Sequence, residues 1–332
     1  MLPFGYGGGH ADPYLLLMAA LVLDAAVGEM PFLFRRVPHP VVIIGRTIAF
    51  LDEKLNRAHR GAMDRAVRGL AVVALLTTGA AAIGWGVRLG TEEIPFGWVV
   101  ELFLVVTMIA QRSLHDHVRA VARGLDRDGL EGGREAVAMI CGRDTEQLDG
   151  HGVARAAIES CAENFSDGVV APVFWYVLFG LPGLLVYKTV NTLDSMIGHR
   201  SERYRAFGFA AARLDDLMNL IPARLSGLYL ALAAVFVPTA RPLAAVATMV
   251  RDARRHRSPN SGWPEAAMAG ALDLALAGPR RYRGYEVLDE WIGAGRREAE
   301  ARDIARALGV FGVACLINAG GVVGIWLARL TL

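Results

Sequence analysis

Four apolar stretches of near membrane-spanning length constrain this chain more than any other feature. They lie at about 14–27, 69–87, 96–110 and 309–328. A helix needs roughly 20 apolar residues to cross the hydrocarbon core of a bilayer, where it satisfies its own backbone hydrogen bonds. Because 54% of the 332 residues are hydrophobic, we expect an all-α, polytopic integral membrane protein. About four full spans would form a single membrane-embedded domain over 1–332.

Two further apolar segments are interrupted. Residues 169–190 are cut by Gly-Leu-Pro-Gly at 180–183, and residues 225–250 by Pro-Thr-Ala-Arg-Pro at 238–242. Non-helical backbone is tolerated at membrane depth when protein buries it, so each segment fits a re-entrant hairpin. Two ordinary crossings joined by a periplasmic loop are the alternative, and they would place Arg200 and Arg213 outside.

Charged residues predict the orientation of the chain. The loop after the first apolar stretch is rich in basic residues: Arg35, Arg36, Arg46, Lys54, Arg57, Arg60, Arg65 and Arg68. The positive-inside rule places this loop in the cytoplasm. We therefore expect a multi-pass protein of the bacterial inner membrane with a cytoplasmic active face. Residues 251–308 are predicted to be a soluble helical segment, since Pro264 suits a helix start and Gly278-Pro279 suits its end.

Several common functional classes lack their signals here. The formal net charge is +2, so bulk electrostatics give no reason to expect nucleic acid. Neither a GxxxxGK[ST] loop nor a GxGxxG loop is present. The three cysteines are far apart and odd in number, which argues against both a disulfide framework and a CxxC metal site.

A polar signature region occupies residues 112–224. Its acids and amides repeat a helical spacing: Asn191, Asp194 and Ser195 lie at i, i+3 and i+4, and Asp215, Asp216 and Asn219 lie close together again. Carboxylate and amide oxygens are hard ligands, and Mg²⁺ typically takes one or two of them plus substrate phosphates. The arginines of the region match phosphate oxygens bidentately; they are Arg143, Arg203, Arg213 and Arg224. This pattern predicts a site for a magnesium–phosphate ligand.

Structural interpretations compete with this one at several positions. Asp144 with Gln147 could cap a helix, Glu159 could pair with Arg155 on a solvated face, and Arg213 could form a surface ion pair with Asp216. Glu163, Asn164 and Asp167 differ, because an apolar run follows them at once. Asp194 lies between apolar segments, where an ionisable residue is a functional hypothesis by default.

Three blocks of this region and its surroundings resemble a known family. They read GRDTEQLDGHGVARAAIESCAENFSDGVVAPVFWY, NTLDSMIGHRSERYRAFGFAAARLDDLMNLIPARL and SPNSGWPEAAMAGAL, and HPVVIIGRTIAFLDEKLN precedes them. Together they resemble the CobD/CbiB family of cobalamin biosynthesis. The resemblance implies a membrane-bound adenosylcobinamide-phosphate synthase. Such a ligase joins adenosylcobyric acid to (R)-1-amino-2-propanol, or to its O-phosphate, in an amide bond, with ATP as co-substrate and Mg²⁺.

The matching positions become the candidate site residues. Those assigned to catalysis are Glu163, Asp167, Asp194, Asp215 and Asp216. Those assigned to substrate or phosphate binding are Arg143, Asp144, Asn164, Asn191, Arg203, Tyr204, Arg213, Asn219, Asn260 and Glu265. Those assigned to Mg²⁺ are Asp194, Asp215 and Asp216.

The implied partners are adenosylcobyric acid, aminopropanol phosphate, ATP and the lipid bilayer, with no nucleic acid. A homo-oligomer and a complex with other membrane enzymes of cobalamin synthesis both stay open. Two other functions also stay open. One is an AmpE-like, non-enzymatic signalling protein of the inner membrane. The other is a Mg-dependent intramembrane prenyltransferase, which the LDDLMN and NTLDS stretches fit superficially.

Overall fold

The computed structural model describes residues 11–30, 34–92, 94–142, 144–282, 285–287 and 289–331. Their order begins with helices Pro13–Val27 (α1), Pro40–Leu55 (α2), Ala62–Glu92 (α3), Trp98–Met108 (α4), Gln111–Arg127 (α5), Gly129–Ala138 (α6) and Gly150–Phe165 (α7). A π-helical turn, Ser166–Val170, leads into Ala171–Ile197 (α8), Phe209–Met218 (α9) and Leu220–Ala233 (α10). The helices Pro242–Asp252 (α11), Gly262–Leu272 (α12) and Ala301–Thr331 (α13) complete the set.

The first two helices begin where the sequence supplies both a cap and a proline. The Asp12 carboxylate accepts the backbone N–H of Tyr14 at 2.8 Å, and the His39 ring nitrogen accepts that of Val41 at 3.2 Å. Pro13 and Pro40 follow these caps at the first helical position, where a missing N–H costs nothing. Local chemistry therefore determines where both helices begin.

The expectation of a polytopic all-α membrane protein is confirmed. Among the described residues, four helices are long and apolar enough to cross a membrane: Ala62–Thr91, Trp98–Arg127, Gly150–Ile197 and Ala301–Thr331. A bent pair, Phe209–Met218 with Leu220–Phe236, passes the same test only when taken together. The predicted first span corresponds to α1, whose 15 residues are fewer than the roughly 20 that a crossing needs.

Both predicted interruptions are present. Within α8, Gly180 has φ 63° and ψ −153°, a conformation outside the helical region that glycine adopts at little cost. In the second segment α10 ends at Ala233, and the next α-helix begins only at Pro242. Whether either segment dips into the membrane and returns stays a prediction.

The segment 251–308 is not helical throughout, contrary to the expectation. Short strands follow α12: Leu276–Ala277 (β1), Arg280–Tyr282 (β2), Tyr285–Val287 (β3) and Trp291–Ile292 (β4). β1 pairs antiparallel with β4, and β2 pairs antiparallel with β3. The left-handed conformation of Asp273 (φ 58°), followed by Gly278 (φ 76°), ends the helix and turns the chain into these strands.

The chain divides into two compact units. The first takes its described residues from Met1–Ala110, Ala171–Met218 and Val322–Leu332. One core cluster in this unit joins α2, α3, α8 and α9 through Ile48, Val72, Leu193, Phe207 and Ala211, among others. Gly69 allows close contact there, because a Cβ at that position would lie 1.8 Å from the Phe207 carbonyl oxygen.

The second unit comprises Gln111–Val170 and Asn219–Gly321. Its core collects small and branched side chains of α5, α7, α12 and α13, with Phe165 and Phe311 edge-to-face at 5.7 Å between ring centroids. A buried carboxylate ties the end of α11 to the strand region. Asp252 is 0% exposed and accepts hydrogen bonds from Arg251 at 2.6 Å and from the Gly293 backbone N–H at 2.9 Å.

We predict that Asp252→Asn destabilises the protein by about 1.5–3 kcal/mol, because buried hydrogen bonds to a charged group are lost. The pKa of Asp252 is lowered, chiefly by the hydrogen bond from Arg251 and against the effect of burial. Its stabilising contribution is therefore complete above the unfolded pKa of about 4 and is lost as the pH falls through the folded pKa. Thermal unfolding of the detergent-purified protein at several pH values measures both effects.

The control for this prediction is Asp273→Asn. Asp273 also pairs with an arginine, Arg241, at 2.8 Å, but the two side chains are 48% and 63% exposed. An exposed pair contributes about 0–1 kcal/mol, so this variant should unfold close to the wild type. Equal stability of the two variants at neutral pH would contradict the anchoring role of Asp252.

Candidate functional site

Two of the resembling blocks meet in the second unit. Glu163, near the end of α7, is half-buried, and its Oε1 accepts a hydrogen bond from the Ser261 hydroxyl at 2.9 Å. Ser261 immediately precedes α12, in the SPNSGWPE stretch. Residues almost a hundred positions apart in the chain thus share one short hydrogen bond.

Arg224 of α10 reaches the same block. Its Nη1 donates to the Asn260 side-chain oxygen at 2.7 Å and to the Leu220 carbonyl at 2.9 Å. Its guanidinium carbon lies 4.7 Å from the centroid of the Trp263 ring, a distance at which the ring face attracts the cation. We call Glu163, Arg224, Asn260, Ser261 and Trp263 the Glu163 cluster.

Two glycines let the backbones of this cluster approach. A Cβ at Gly227 would lie 2.7 Å from Met249 Sδ and 3.0 Å from the Trp263 carbonyl oxygen. A Cβ at Gly262 would lie 2.1 Å from the carbonyl oxygen of Ala253. Real Cβ atoms do not sit that close to backbone atoms, so glycine is required for α10 and residues 253–255 to pack against the start of α12.

The remaining candidates of the second unit take distinct places. Glu265 is buried in the first turn of α12, with its Oε1 3.5 Å from His256 Nε2. Asn219 is buried at the start of α10. Asn164 donates to the Ser160 carbonyl of its own helix at 2.9 Å. Asp167 lies half-buried in the π-helical turn, a feature that is frequent at functional sites.

Asp144 does not cap the following helix, although that was one of its two interpretations. Its Oδ1 accepts the backbone N–H of Glu146 at 3.1 Å, whereas the cap of α7 is Asp149, which accepts from Gly152 at 2.6 Å. Arg143 lies outside the described residues.

Glu159 is a structural residue of the core and not part of a solvated ion pair. It is 2% exposed and accepts the backbone N–H of Ala277 at 2.8 Å. Arg155, its alternative partner, donates instead to the Arg297 carbonyl and lies over the Trp291 ring. Sequence spacing suggested an i, i+4 pair, but burial of that face directed both side chains elsewhere.

A second polar cluster lies in the first unit, and its centre was missed by the sequence analysis. The buried carboxylate of Asp52 accepts from Arg203 at 2.6 Å, from Tyr204 at 3.3 Å and from Asn56 at 2.8 Å. Arg65 donates to the Asn56 side chain at 2.7 Å. We call these residues the Asp52 cluster. The hydrogen bond that Arg203 donates to Asp52 also raises the pKa of Arg203. The available signal was DEKLN, within the block HPVVIIGRTIAFLDEKLN.

The other acids and amides of the first unit are more dispersed. Asn191 and Asp194 are half-buried on the last turns of α8, and a Cβ at Gly198 would fall 1.9 Å from Asp194 Oδ1. Arg213 and Asp216 form an ion pair at 3.1 Å, partly exposed, as the structural interpretation expected. Asp215 is half-buried beside Asp216 on the same helix.

Within the described ranges, no group of three or more histidine, cysteine, aspartate or glutamate side chains is placed to hold a metal ion. The predicted Mg²⁺ ligands Asp194, Asp215 and Asp216 therefore do not form a preformed cage. Mg²⁺ usually binds one or two protein carboxylates together with water and substrate phosphates, so the assignment of these acids stays a prediction.

Long apolar helices together with buried polar clusters define a polytopic helical membrane protein. The sequence model of the CobD/Cbib protein family matches residues 17–311. The chain belongs to this family.

Relatives named cobalamin biosynthesis protein CobD are similar over most of their length. The one from a Sinorhizobium species is 53% identical, over 94% of this chain and 97% of its own. The one from Sinorhizobium fredii is 54% identical over 91% and 93%, and that of Rhodobacter capsulatus 48% over 89% and 92%. No solved structure matches the chain.

We predict that Asp52→Asn loosens residues 198–208. The change removes the charge that holds Arg203, at a cost of about 1 kcal/mol, so amides of this segment should exchange roughly fivefold faster. Those of Tyr204 and Arg205, which both bond to the Ser201 carbonyl, report it directly. Hydrogen exchange read by mass spectrometry makes the measurement.

The control for this prediction is Glu53→Gln, at an exposed neighbouring position. Equal exchange in the two variants would refute the role of Asp52.

Proposed function

We propose that this protein is the adenosylcobinamide-phosphate synthase of cobalamin biosynthesis. It would form an amide between a propionate carboxylate of adenosylcobyric acid and the amine of (R)-1-amino-2-propanol or its O-phosphate, with ATP as co-substrate. Membership of the CobD/Cbib family and the names of the relatives support the pathway. The reaction itself is the proposal, and it places chemical demands on the site.

The reaction needs two kinds of group. A carboxylate does not condense with an amine unaided, so the propionate first takes the terminal phosphoryl group of ATP, releasing ADP. The amine then attacks the acyl carbon, and inorganic phosphate leaves as the amide bond forms. Since the amine is an ammonium ion at neutral pH, a base must take a proton from it before or during the attack.

The environment of the Glu163 carboxylate is the main support for this proposal. It is half-buried and fixed through one oxygen by the Ser261 hydroxyl, and no described residue hydrogen-bonds to its other oxygen. A carboxylate held in this way can receive a proton in a defined direction, and its negative charge attracts the ammonium ion beforehand. We therefore assign the general base to Glu163 and a positioning role to Ser261.

Mg²⁺ bound with ATP would supply positive charge against the transferring phosphoryl group. Because the described acids form no preformed cage for it, we expect it to enter with the nucleotide and to use one or two of Asp194, Asp215 and Asp216. The cytoplasmic face is the expected side of the site, because ATP is there and the loop after α1 is rich in arginine. The bacterial inner membrane is the expected location.

We predict that Glu163→Gln lowers kcat by roughly 10²–10⁴-fold, the usual contribution of a general base. Ser261→Ala should lower it less, because the carboxylate remains. The assay supplies adenosylcobyric acid, MgATP and either amine to the detergent-purified protein and follows the amide by mass. Asp194→Asn tests the phosphoryl-transfer step and should also abolish turnover while the protein stays folded.

The matched control is Glu131→Gln, an acid in the same unit whose side chain is 76% exposed. This variant should keep wild-type turnover. Near-normal turnover of Glu163→Gln would refute its assigned role. A wild type that binds the corrinoid but forms no amide with either amine would overturn the proposed reaction; diphosphate release in place of ATP consumption would instead favour a prenyltransferase.

A further inference from the structure

Two arginines near the start of α12 lack carboxylate partners among the described residues. They are Arg224 on α10 and Arg254 in the short helical turn Ala253–Arg255. Their neighbours behave differently: Arg251, Arg255 and Arg257 each form an ion pair, with Asp252, Glu290 and Asp289 in turn. Arg254 is therefore an exception in a segment whose other arginines are neutralised.

Both arginines are attached to the start of α12. Arg224 contacts Asn260 and Trp263, and the carbonyl of Ala253, the residue before Arg254, packs against Gly262 between those two residues. The two positive charges are therefore in the same neighbourhood and act on each other. Arg224 is half-buried and oriented by three neutral contacts, with the Leu220 carbonyl, the Asn260 amide oxygen and the Trp263 ring. Arg254 is exposed, and no described side chain binds it. Like charges held together without a counter-charge repel, and an anion placed between them would remove that repulsion.

The backbone around Arg254 is held firmly. Asp252, two residues before Arg254, is fully buried and bonded on several sides. On the other side, the absence of a side chain at Gly262 lets α12 pack directly on the Ala253 carbonyl. Arg254 therefore extends from a fixed point, and only its own side chain has to be ordered when an anion binds.

Arg224 also lies next to the proposed base. Asn260, which accepts from Arg224, and Ser261, which donates to Glu163, are consecutive residues. Consecutive Cα atoms are about 3.8 Å apart. One short stretch of backbone thus connects a site of positive charge to a carboxylate.

We propose that Arg224 and Arg254 together bind a phosphate group of the substrates beside Glu163. This inference rests on the proposed function for the identity of the ligand. Two substrates carry that chemistry: the phosphorylated amino alcohol, whose amine would then face Glu163, and ATP. Arg224 supplies a fixed planar donor, and Arg254 closes on the phosphate from the open side.

The test compares Arg254→Gln and Arg224→Lys with the wild type, as full-length protein in detergent. Isothermal titration calorimetry measures binding of aminopropanol phosphate, of free aminopropanol and of a non-hydrolysable ATP analogue with Mg²⁺. We expect Arg254→Gln to weaken one phosphorylated ligand roughly tenfold, the loss of one charge-assisted contact, and to leave free aminopropanol unaffected. Arg224→Lys should give a smaller loss, because charge is kept while the planar fork is lost.

The titrations with aminopropanol phosphate and with the ATP analogue distinguish the two sources of phosphate. Weaker binding of aminopropanol phosphate alone assigns the site to the amine substrate, and weaker binding of the nucleotide alone assigns it to ATP. Arg241→Gln removes an arginine of the same unit that already pairs with Asp273, and it should bind both ligands as the wild type does. Wild-type affinity of Arg254→Gln and Arg224→Lys for both ligands overturns the inference.

Because these measurements are of binding, they do not depend on turnover. Arginine-dependent phosphate binding by a protein that forms no amide would retain this site and reject the proposed reaction. Amide formation by a wild type whose arginine variants bind normally would retain the reaction and reject this site. If Arg224→Lys proves poorly folded, Arg254→Gln still decides, since the Arg254 side chain supports no described contact.

Discussion

Burial of carboxylates is the constraint on which the second unit depends. Four acids there are almost fully removed from solvent: Glu159, Asp252, Glu265 and Asp303. An ionised carboxylate is costly to bury unless it is paired and hydrogen-bonded. Each therefore connects separate parts of the unit. Glu159 joins α7 to β1. Asp303 joins the start of α13 to Arg296 at 2.6 Å, and it also accepts from Arg306 of its own helix at 2.9 Å.

The same constraint separates carboxylates that hold the fold together from the carboxylate that we propose to be the general base. Acids that hold backbone amides or arginines in the interior, such as Asp52 and Asp252, are fully used by their partners. Glu163 is different, because it is only half-buried and fixed through a single hydroxyl. Arg224 and Arg254 also differ from the neighbouring arginines, because no described carboxylate neutralises them. In our proposal, these partly satisfied groups are the ones that bind the substrates.

Much of the fold could be predicted from the sequence because its signals are local or periodic. Apolar length predicted the long helices, and the proline and glycine pairs predicted the breaks at Gly180 and before Pro242. The strands after α12 could not be predicted. β1 and β4 are two residues each, too short for an alternating pattern, and they form because pairing and burial favour extended backbone there.

For the site, residue types were easier to predict than partners. Glu163, Asn260, Arg203 and Tyr204 were named from the blocks that contain them, yet Ser261 and Asp52 entered only through contacts between distant segments. Arg224 was named among the arginines of the polar region, but its contact with Asn260 was not predicted. The error at Glu159 was of another kind. Its spacing from Arg155 suited a surface ion pair, but its carboxylate accepts a buried hydrogen bond from the backbone of Ala277. Side-chain spacing on one helix says which residues share a face, but not what that face meets.

By itself, the sequence determined that this protein is helical, membrane-embedded and supplied with acids, amides and arginines at helical spacings, because composition and periodicity act within single segments. Only the tertiary structure decided which of those groups are neutralised and which remain available. That decision depends on close approach of segments far apart in the chain, as at Gly227 and Gly262, where the lack of a side chain brings α10 and residues 253–255 against α12.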